Sequence, residues 1–195
     1  IQVKIGAATT CGTDVKVYRR GYHARMISPP VPFGHEFAGT VSILGDGVTK
    51  FKVGDRVVVS NSAPCDTCYF CKIGRFELCE DLLFLNGAYA EFITVPDRIV
   101  QKNTWSLFPD TPFEIASLSE PLACVLRGIH DTLLEPEQTV AVLGVGPIGL
   151  MFVMMLKMAG HKVIAIGRSE GRLSIAKQLG ADHIVSTLKV DDIIT

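Results

Sequence analysis

Four cysteines carry the most specific local signal: Cys65, Cys68, Cys71 and Cys79 fall within fifteen residues, spaced x2, x2 and x7. Such short spacings let successive thiolates turn inward around one ion. Four soft sulfurs in a tetrahedron suit zinc, and a closed shell leaves no room for substrate. The expected site is therefore structural, pinning a loop that has little apolar core. An iron–sulfur cluster is the rival, since thiolates also hold those. Free or disulfide-bonded thiols are the third reading. Lys72, Arg75 and Glu77 lie between the ligands and mark an exposed lobe.

A second signal is Gly144-Val145-Gly146-Pro147-Ile148-Gly149, which fits G-x-G-x-x-G. Alone the motif is weak. Here it follows an expected strand and opens an expected helix, the context of a dinucleotide turn. Gly144 permits the tight turn, Gly146 lets backbone approach a pyrophosphate, and Gly149 lets helix and sheet pack closely. The helix amino end offers N–H donors and a positive dipole to phosphates. The end of the second strand bears on cofactor choice. An NAD site carries Asp or Glu there, accepting hydrogen bonds from the ribose 2′-hydroxyl. This chain has Gly167-Arg168-Ser169 instead, a small residue, a cation and a hydroxyl. That set argues for NADP over NAD, because a 2′-phosphate is repelled by a carboxylate and held by Arg168 and Ser169. Arg168 as a solvated residue, or stacked on adenine, is the plainer alternative.

Three further segments hold residues of ligand type: Cys11-Gly12-Thr13-Asp14, Gly34-His35-Glu36 and Glu120-Pro121-Leu122. Singly, Cys11 reads as a small core residue, His35 as a turn histidine and Glu36 as a surface charge. Sequence physics does not bring the three segments together. Cys124 reads as a small buried helix residue, and Met151, Met154, Met155 and Met158 as packing against a sheet. His23, His130, His161 and His183 have no adjacent ligand spacing.

The elements that must position these residues fall into two textures. Residues 1–100 read as short strands with turns, clearest at 3–8, 37–44, 55–60 and 88–95. Helices are expected at 112–118 and 121–130, each with proline at its start. A strand–helix series then occupies 139–143, 148–159, 162–166, 170–179 and 183–186. Such alternation implies a parallel sheet with crossover helices. The expected class is α/β with a mostly β part, divided into 1–125 and 126–195. The strand-like alternation from Ile1, and three β-strands where a doubly wound sheet has about six, predict missing sequence at both ends.

Composition limits the function classes. The 195 residues carry 19 Lys plus Arg against 20 Asp plus Glu, a net charge of −1, which gives no footprint for nucleic acid or an anionic membrane. At 48% hydrophobic and 20% charged the chain reads as globular. The uncharged stretch 138–156 has the length of a membrane span, but its glycines and proline fit the dinucleotide turn better. Six cysteines are too few for a secreted disulfide scaffold, so reducing, cytoplasmic surroundings are expected.

Taken together, the quoted motifs resemble the zinc-dependent medium-chain alcohol/polyol dehydrogenase family. The match adds Gly34-His-Glu-Phe-Ala-Gly39 and Val53-Gly-Asp-Arg56 and keeps the family's order across essentially the whole chain. It implies a GroES-like catalytic domain followed by a truncated Rossmann domain. The Cys₂His zinc of alcohol dehydrogenase is a reference case of catalytic zinc, so the ligand assignment comes from the resemblance. By it, Cys11 and His35 hold catalytic zinc. Glu120 replaces the third cysteine, as in the sorbitol and threonine dehydrogenase branches, where Glu36 or Glu120 completes the shell. Asp14 orients His35, and Thr13 relays the substrate proton. The family often has His where this chain has Lys16, so the outer relay falls to Lys16, the cofactor ribose or water. The implied reaction interconverts a secondary alcohol, a polyol or hydroxy-amino acid, and a ketone, in a homodimer or homotetramer. The alternative is a non-catalytic, zinc-stabilised NADP-binding or interaction relative.

Overall fold

The computed structural model describes residues 1–27 and 30–189; residues 190–195, at the end of the expected second domain, lie outside the described residues. The chain divides into two compact units, the first Ile1–Glu120 and the second from Pro121 onward.

The first unit is built on a five-stranded antiparallel sheet. Its strands are β1 (Gln2–Thr9), β2 (Glu36–Ile43), β3 (Arg56–Val59), β6 (Phe92–Thr94) and β7 (Thr104–Ser106), in the order β6-β1-β2-β3-β7. A two-stranded ribbon, β4 (Ser62–Ala63) with β5 (Leu83–Phe84), stands apart. The helices are α1 (Gly12–Arg20), α2 (Tyr69–Lys72), α3 (Asp97–Asn103) and α4 (Phe113–Ala116). Alternation along β2 explains the two faces of the sheet. Phe37 and Val41 join Val3, Val57, Val59, Ile93, Ile99 and others in the main core. Ala38 faces the other way and packs with Val58, Ala116, Leu107 and Phe113.

The second unit contains α5 (Ser119–Asp131, which begins at the end of the first), β8 (Thr139–Leu143), α6 (Pro147–Met158), β9 (Lys162–Gly167), α7 (Glu170–Gln178) and β10 (His183–Ser186). The three strands are parallel, in the order β10-β9-β8. Val163, Ala165 and Ile166 of the central strand are buried, as a parallel strand covered on both faces requires. Among the described residues, no helix is long and apolar enough to cross a membrane. The stretch 138–156 is β8, a turn and α6.

Several expectations need correction. Cys124, expected to be buried, is exposed on α5. The boundary falls after Glu120, not after 125, because α5 packs into the second unit: Val125 is buried, Gly128 lies against the Phe152 ring and Ile129 joins the second core. The strand expected over 88–95 shrinks to β6, because 87–89 bend away to hydrogen-bond the turn at Phe33 and Gly34. On α6 it is Val153 and Leu156 that are buried in the second core, whereas Met158 is exposed.

Candidate active site

The register of one strand pair gathers the dispersed ligands. Thr9, the last residue of β1, pairs with Glu36, the first of β2. The two residues after Thr9 reach Cys11, and one residue before Glu36 stands His35. A pairing 27 residues apart in sequence therefore brings a thiol, an imidazole and a carboxylate together. The ligand atoms of Cys11, His35 and Glu36 all lie within 4.8 Å of one another. His35 is 2% exposed and Glu36 4%.

The turn before β2 is held from outside. Gly34 has φ +89°, and a Cβ there would lie 2.5 Å from Cδ1 of Tyr89, so both the backbone and the neighbouring ring exclude a side chain. The N–H groups of Gly87 and Ala88 donate to the Gly34 carbonyl, at 2.8 and 3.0 Å.

Helix α1 presents the other half. Cys11 is its N-cap, accepting from the Thr13 N–H at 3.4 Å, while Asp14 at the third helical position accepts from the Cys11 N–H at 3.0 Å. This reciprocal capping arrangement satisfies two free helix-end donors. The same Asp14, 3% exposed, faces the candidate ligand cluster at His35. Its Oδ1 lies 3.2 Å from Nδ1 of His35, an ion-pair distance without hydrogen-bond alignment; neither atom has a hydrogen-bond partner among the described residues. Its Oδ2 also accepts from the Tyr89 hydroxyl at 3.0 Å. Burial, together with the charges of Asp14 and Glu36, pushes the Tyr89 hydroxyl up to about 12 despite an opposing hydrogen bond with Thr10, so it remains a donor. With Nδ1 directed at Asp14, Nε2 of His35 is the nitrogen left for a ligand.

These residues fit zinc. Burial raises the Cys11 thiol above its ordinary value, and the Glu36 charge adds to this, against hydrogen bonds from Thr13. A half-buried thiol and a buried carboxylate this close to an imidazole are donors that a dication holds together. One sulfur, one imidazole and one carboxylate leave a fourth tetrahedral position open, the pattern of catalytic zinc. Glu120 lies outside this tight group. Burial raises its carboxyl, followed by the Glu36 charge, while His35 and a hydrogen bond with Asn61 oppose the rise. Thr13 is half-buried at the start of α1, and Lys16 is exposed one turn on.

The four-cysteine lobe also fits zinc. Its sulfurs lie within 4.8 Å of one another, with Cys65–Cys71 at 3.9 Å and Cys68–Cys79 at 4.0 Å, and all four are free of disulfides. A tetrahedron with zinc–sulfur bonds of about 2.3 Å has edges of about 3.8 Å. Thr67 and backbone N–H groups hold the Cys65 thiol down to about 5, whereas burial and the neighbouring sulfurs push Cys71 up to about 12. Without a cation, ionisation of one sulfur suppresses ionisation of the next. Tyr69, Ile73 and Phe76 on the lobe are exposed, so little apolar burial holds it.

In the second unit, Gly144 (φ +99°) turns the chain out of β8, and its N–H donates to the Ile166 carbonyl at 2.8 Å. A Cβ on Gly149 would meet the Gly144 carbonyl oxygen at 1.8 Å, which fixes its role as close packing. A Cβ on Gly146 would meet nothing, so this N-cap of α6 opens onto free space. A groove of about 490 Å³ runs along Gly144, Val145, Gly146, Gly167, Arg168 and Ser169. Pro147, Ile148 and Gly149 are not part of its lining. Arg172 and Thr187 are, and the sequence reading missed both. Arg172 had a signal: it stands one helical turn after Arg168, and its N–H caps onto Ser169 at 3.5 Å. Tyr89 had none, because its contact with Asp14 spans 75 residues. Gly167 has a packing cause as well: a Cβ there would lie 2.5 Å from Cγ2 of Val145.

Comparison with known proteins gives the chain's relatives. Residues 1–104 match the family model of the alcohol dehydrogenase GroES-like domain, and residues 147–195 that of zinc-binding dehydrogenases. An L-threonine 3-dehydrogenase of Symbiobacterium thermophilum is 39% identical over 202 residues, covering 99% of this chain and 55% of the relative. A sorbitol dehydrogenase of Bacillus subtilis is 36% identical over 199 residues, covering 98% and 55%. A crystal structure of a zinc-binding dehydrogenase from Sinorhizobium meliloti bound to NADP superposes with a TM-score of 0.89 at 31% identity, covering 98% of this chain and 55% of that one. The chain thus spans about half the length of the relatives it matches.

Proposed function

The chain belongs to the zinc-dependent medium-chain alcohol/polyol dehydrogenase family, and on that premise we propose that it serves the reversible oxidation of a secondary alcohol to a ketone, with NADP in preference to NAD. The substrate is a polyol or a hydroxy-amino acid, the classes acted on by the relatives named above. The observation that carries the reading is the buried meeting of Cys11, His35 and Glu36 beside Thr13.

Cys11, His35 and Glu36 are the residues that would hold catalytic zinc, with Glu120 the second carboxylate available to the same shell. Zinc supplies Lewis acidity toward an alcohol oxygen, and a nicotinamide supplies the hydride acceptor. The Thr13 hydroxyl takes the alcohol proton and passes it outward. Asp14 keeps the His35 ring in one orientation and one tautomer. Cys65, Cys68, Cys71 and Cys79 would hold a second, structural zinc. Gly144, Val145 and Gly146 line the path of the cofactor pyrophosphate. Arg168, Ser169 and Arg172 receive the 2′-phosphate, supported by a guanidinium at each of positions 168 and 172 on the groove and by glycine rather than a carboxylate at position 167. The complete enzyme is a cytoplasmic homodimer or homotetramer.

Elemental mass spectrometry of the purified chain and an assay of alcohol-dependent cofactor reduction test this together. The expected result is two zincs per chain and faster reduction of NADP than of NAD. Cys11→Ser and His35→Ala are expected to lose one zinc and all turnover while still binding NADP. A single zinc that disappears in Cys65→Ser, with no alcohol-dependent reduction of either cofactor, would overturn the reading.

A further inference from the structure

Beyond Thr13, one face of α1 is lined with positive charge. Thr13, Lys16, Val17 and Arg20 stand at i, i+3, i+4 and i+7, so they share one side of the helix. Gly21, at φ +89°, ends the helix and turns the chain into Tyr22, His23 and Ala24. Apart from Gly21, these residues line a groove of about 320 Å³.

Three observations give the groove a chemistry. First, residues 15–27 contain Lys16, Arg19, Arg20 and Arg25 and no carboxylate, in a chain whose net charge is −1. Second, neither Lys16 nor Arg20 pairs with a carboxylate among the described residues. Third, His23 is fixed as a donor. Its Nδ1 accepts from the N–H groups of Arg25, at 3.3 Å, and Met26, at 3.0 Å. Its backbone N–H donates to the Ile27 carbonyl at 2.8 Å, which anchors the residue. An imidazole that accepts at Nδ1 carries its proton on Nε2. The carbonyl end of a helix by itself repels anions, so an anion here depends on Lys16, Arg20 and His23. Lys16 and Arg20 are both exposed, as groups awaiting a soluble ligand must be.

We propose that the groove formed by Thr13, Lys16, Arg20 and His23 is an anion subsite of the substrate pocket, so that the alcohol oxidised carries a phosphate or carboxylate group. The proposal rests on the dehydrogenase reading above, because Thr13 joins the groove to the metal-ligand cluster through its N–H contact with Cys11. A guanidinium and an ammonium on one helix face hold anionic oxygens by charge-assisted hydrogen bonds. The cofactor's phosphates have their own groove at Gly144–Gly146 and Arg168–Arg172, which leaves this one to the substrate.

Two measurements test it. In the first, inorganic phosphate is titrated calorimetrically into the full chain, into Lys16→Ala/Arg20→Ala and into Arg168→Ala/Arg172→Ala. Loss of charged partners is expected to weaken one phosphate site about tenfold or more in the first variant, while that site persists in the second. Phosphate binding indifferent to Lys16 and Arg20 overturns the subsite alone. The second measurement compares kcat/KM for a phosphorylated polyol, a hydroxy acid and a neutral alcohol of similar size. Arg20→Ala is expected to lower the ratio of anionic to neutral substrate about tenfold, through KM, and the anionic compound that loses more names the group. Equal losses on all substrates, or a raised KM for NADP instead, overturn the assignment to substrate. Phosphate binding that depends on Lys16 and Arg20 in a protein oxidising no alcohol overturns the dehydrogenase reading, and with it the substrate assignment.

Discussion

Replacing Asp14 by Asn changes one atom and tests most of the site's logic. The carboxylate accepts from two donors on Oδ2, the Cys11 N–H and the Tyr89 hydroxyl, each at 3.0 Å, and its Oδ1 stands 3.2 Å from His35 Nδ1. An amide of the same shape has one acceptor side. If its oxygen stays toward Cys11 and Tyr89, its NH₂ faces His35 Nδ1. The imidazole must then accept there and carry its proton on Nε2, the nitrogen needed for the metal. If the amide flips, its NH₂ opposes the Cys11 N–H and one helix-end donor loses its acceptor. The first orientation imposes the tautomer that cannot ligate through Nε2 and the second strands a donor, each at a cost of about 1–3 kcal/mol. That cost corresponds to a roughly 5- to 150-fold change in an equilibrium constant. In the first orientation it falls on zinc affinity, in the second on the stability of α1. Chelator competition for the more labile zinc, run beside urea unfolding of the zinc-free chain, reads both. Tyr89→Phe removes one hydrogen bond to the same oxygen and is expected to act in the same direction but less. Because Tyr89 and Cys11 share Oδ2, the Asp14 and Tyr89 effects should not add. An Asp14→Asn chain that binds zinc within twofold of wild type, and unfolds at the same urea concentration, would refute this reasoning.

Other perturbations follow from the same contacts. Cys79→Ser should remove one zinc per chain and expose the lobe to proteolysis between 65 and 79 while leaving NADP binding intact; retention of both zincs contradicts the four-sulfur site. Lys157, followed by the Val163 N–H, holds the Asp182 carboxyl down to about 2 from an ordinary 3.8. A depressed carboxylate stabilises the fold above its unfolded value, and that contribution is lost as pH falls through about 2. The stability difference between wild type and Asp182→Asn should therefore shrink between about pH 4 and pH 2, and a constant difference in urea midpoint counts against it. Gly167→Asp should not by itself convert the cofactor groove to NAD, because the new side chain meets Val145 at 2.5 Å; overpacking of this kind costs about 1–3 kcal/mol. Combined with Val145→Ala, it should raise the NAD-to-NADP ratio of kcat/KM, and an equal effect of the single substitution would argue against steric control.

Much of the second unit was legible because its signals are local. The strand–helix series, with Gly144 at the turn and Ser169 at a helix start, needs only hydrophobic runs and caps. The cysteine lobe was legible for the same reason. Helix α1 was not foreseen, although Asp14 three residues after Cys11, and Gly21 after two arginines, are helix start and stop signals. The β-branched Val15 and Val17 obscure its period. The first metal cluster was reachable only through resemblance, because it depends on the Thr9–Glu36 register, which no local pattern specifies. Cys11 and Glu36 look ordinary until that register is known. Tyr89 lay hidden for a related reason: it was read into a strand, whereas its neighbours turn to brace Gly34. Gly167 was read for the carboxylate it lacks, and its packing against Val145 becomes visible only in three dimensions.

The contrast between the two ligand sets bears on how the protein acquires its metals during synthesis. The lobe's four sulfurs come from one short segment, so closing the loops around an ion costs little chain entropy. That segment can take zinc as soon as it leaves the ribosome. The other set exists only once β1 and β2 have paired in register, and a slip of one residue would turn Glu36 to the opposite face of the sheet. A metal held by that set would therefore arrive after the sheet has closed. An ion in the lobe would be a partner in folding, and one at the second set an inspection of the result.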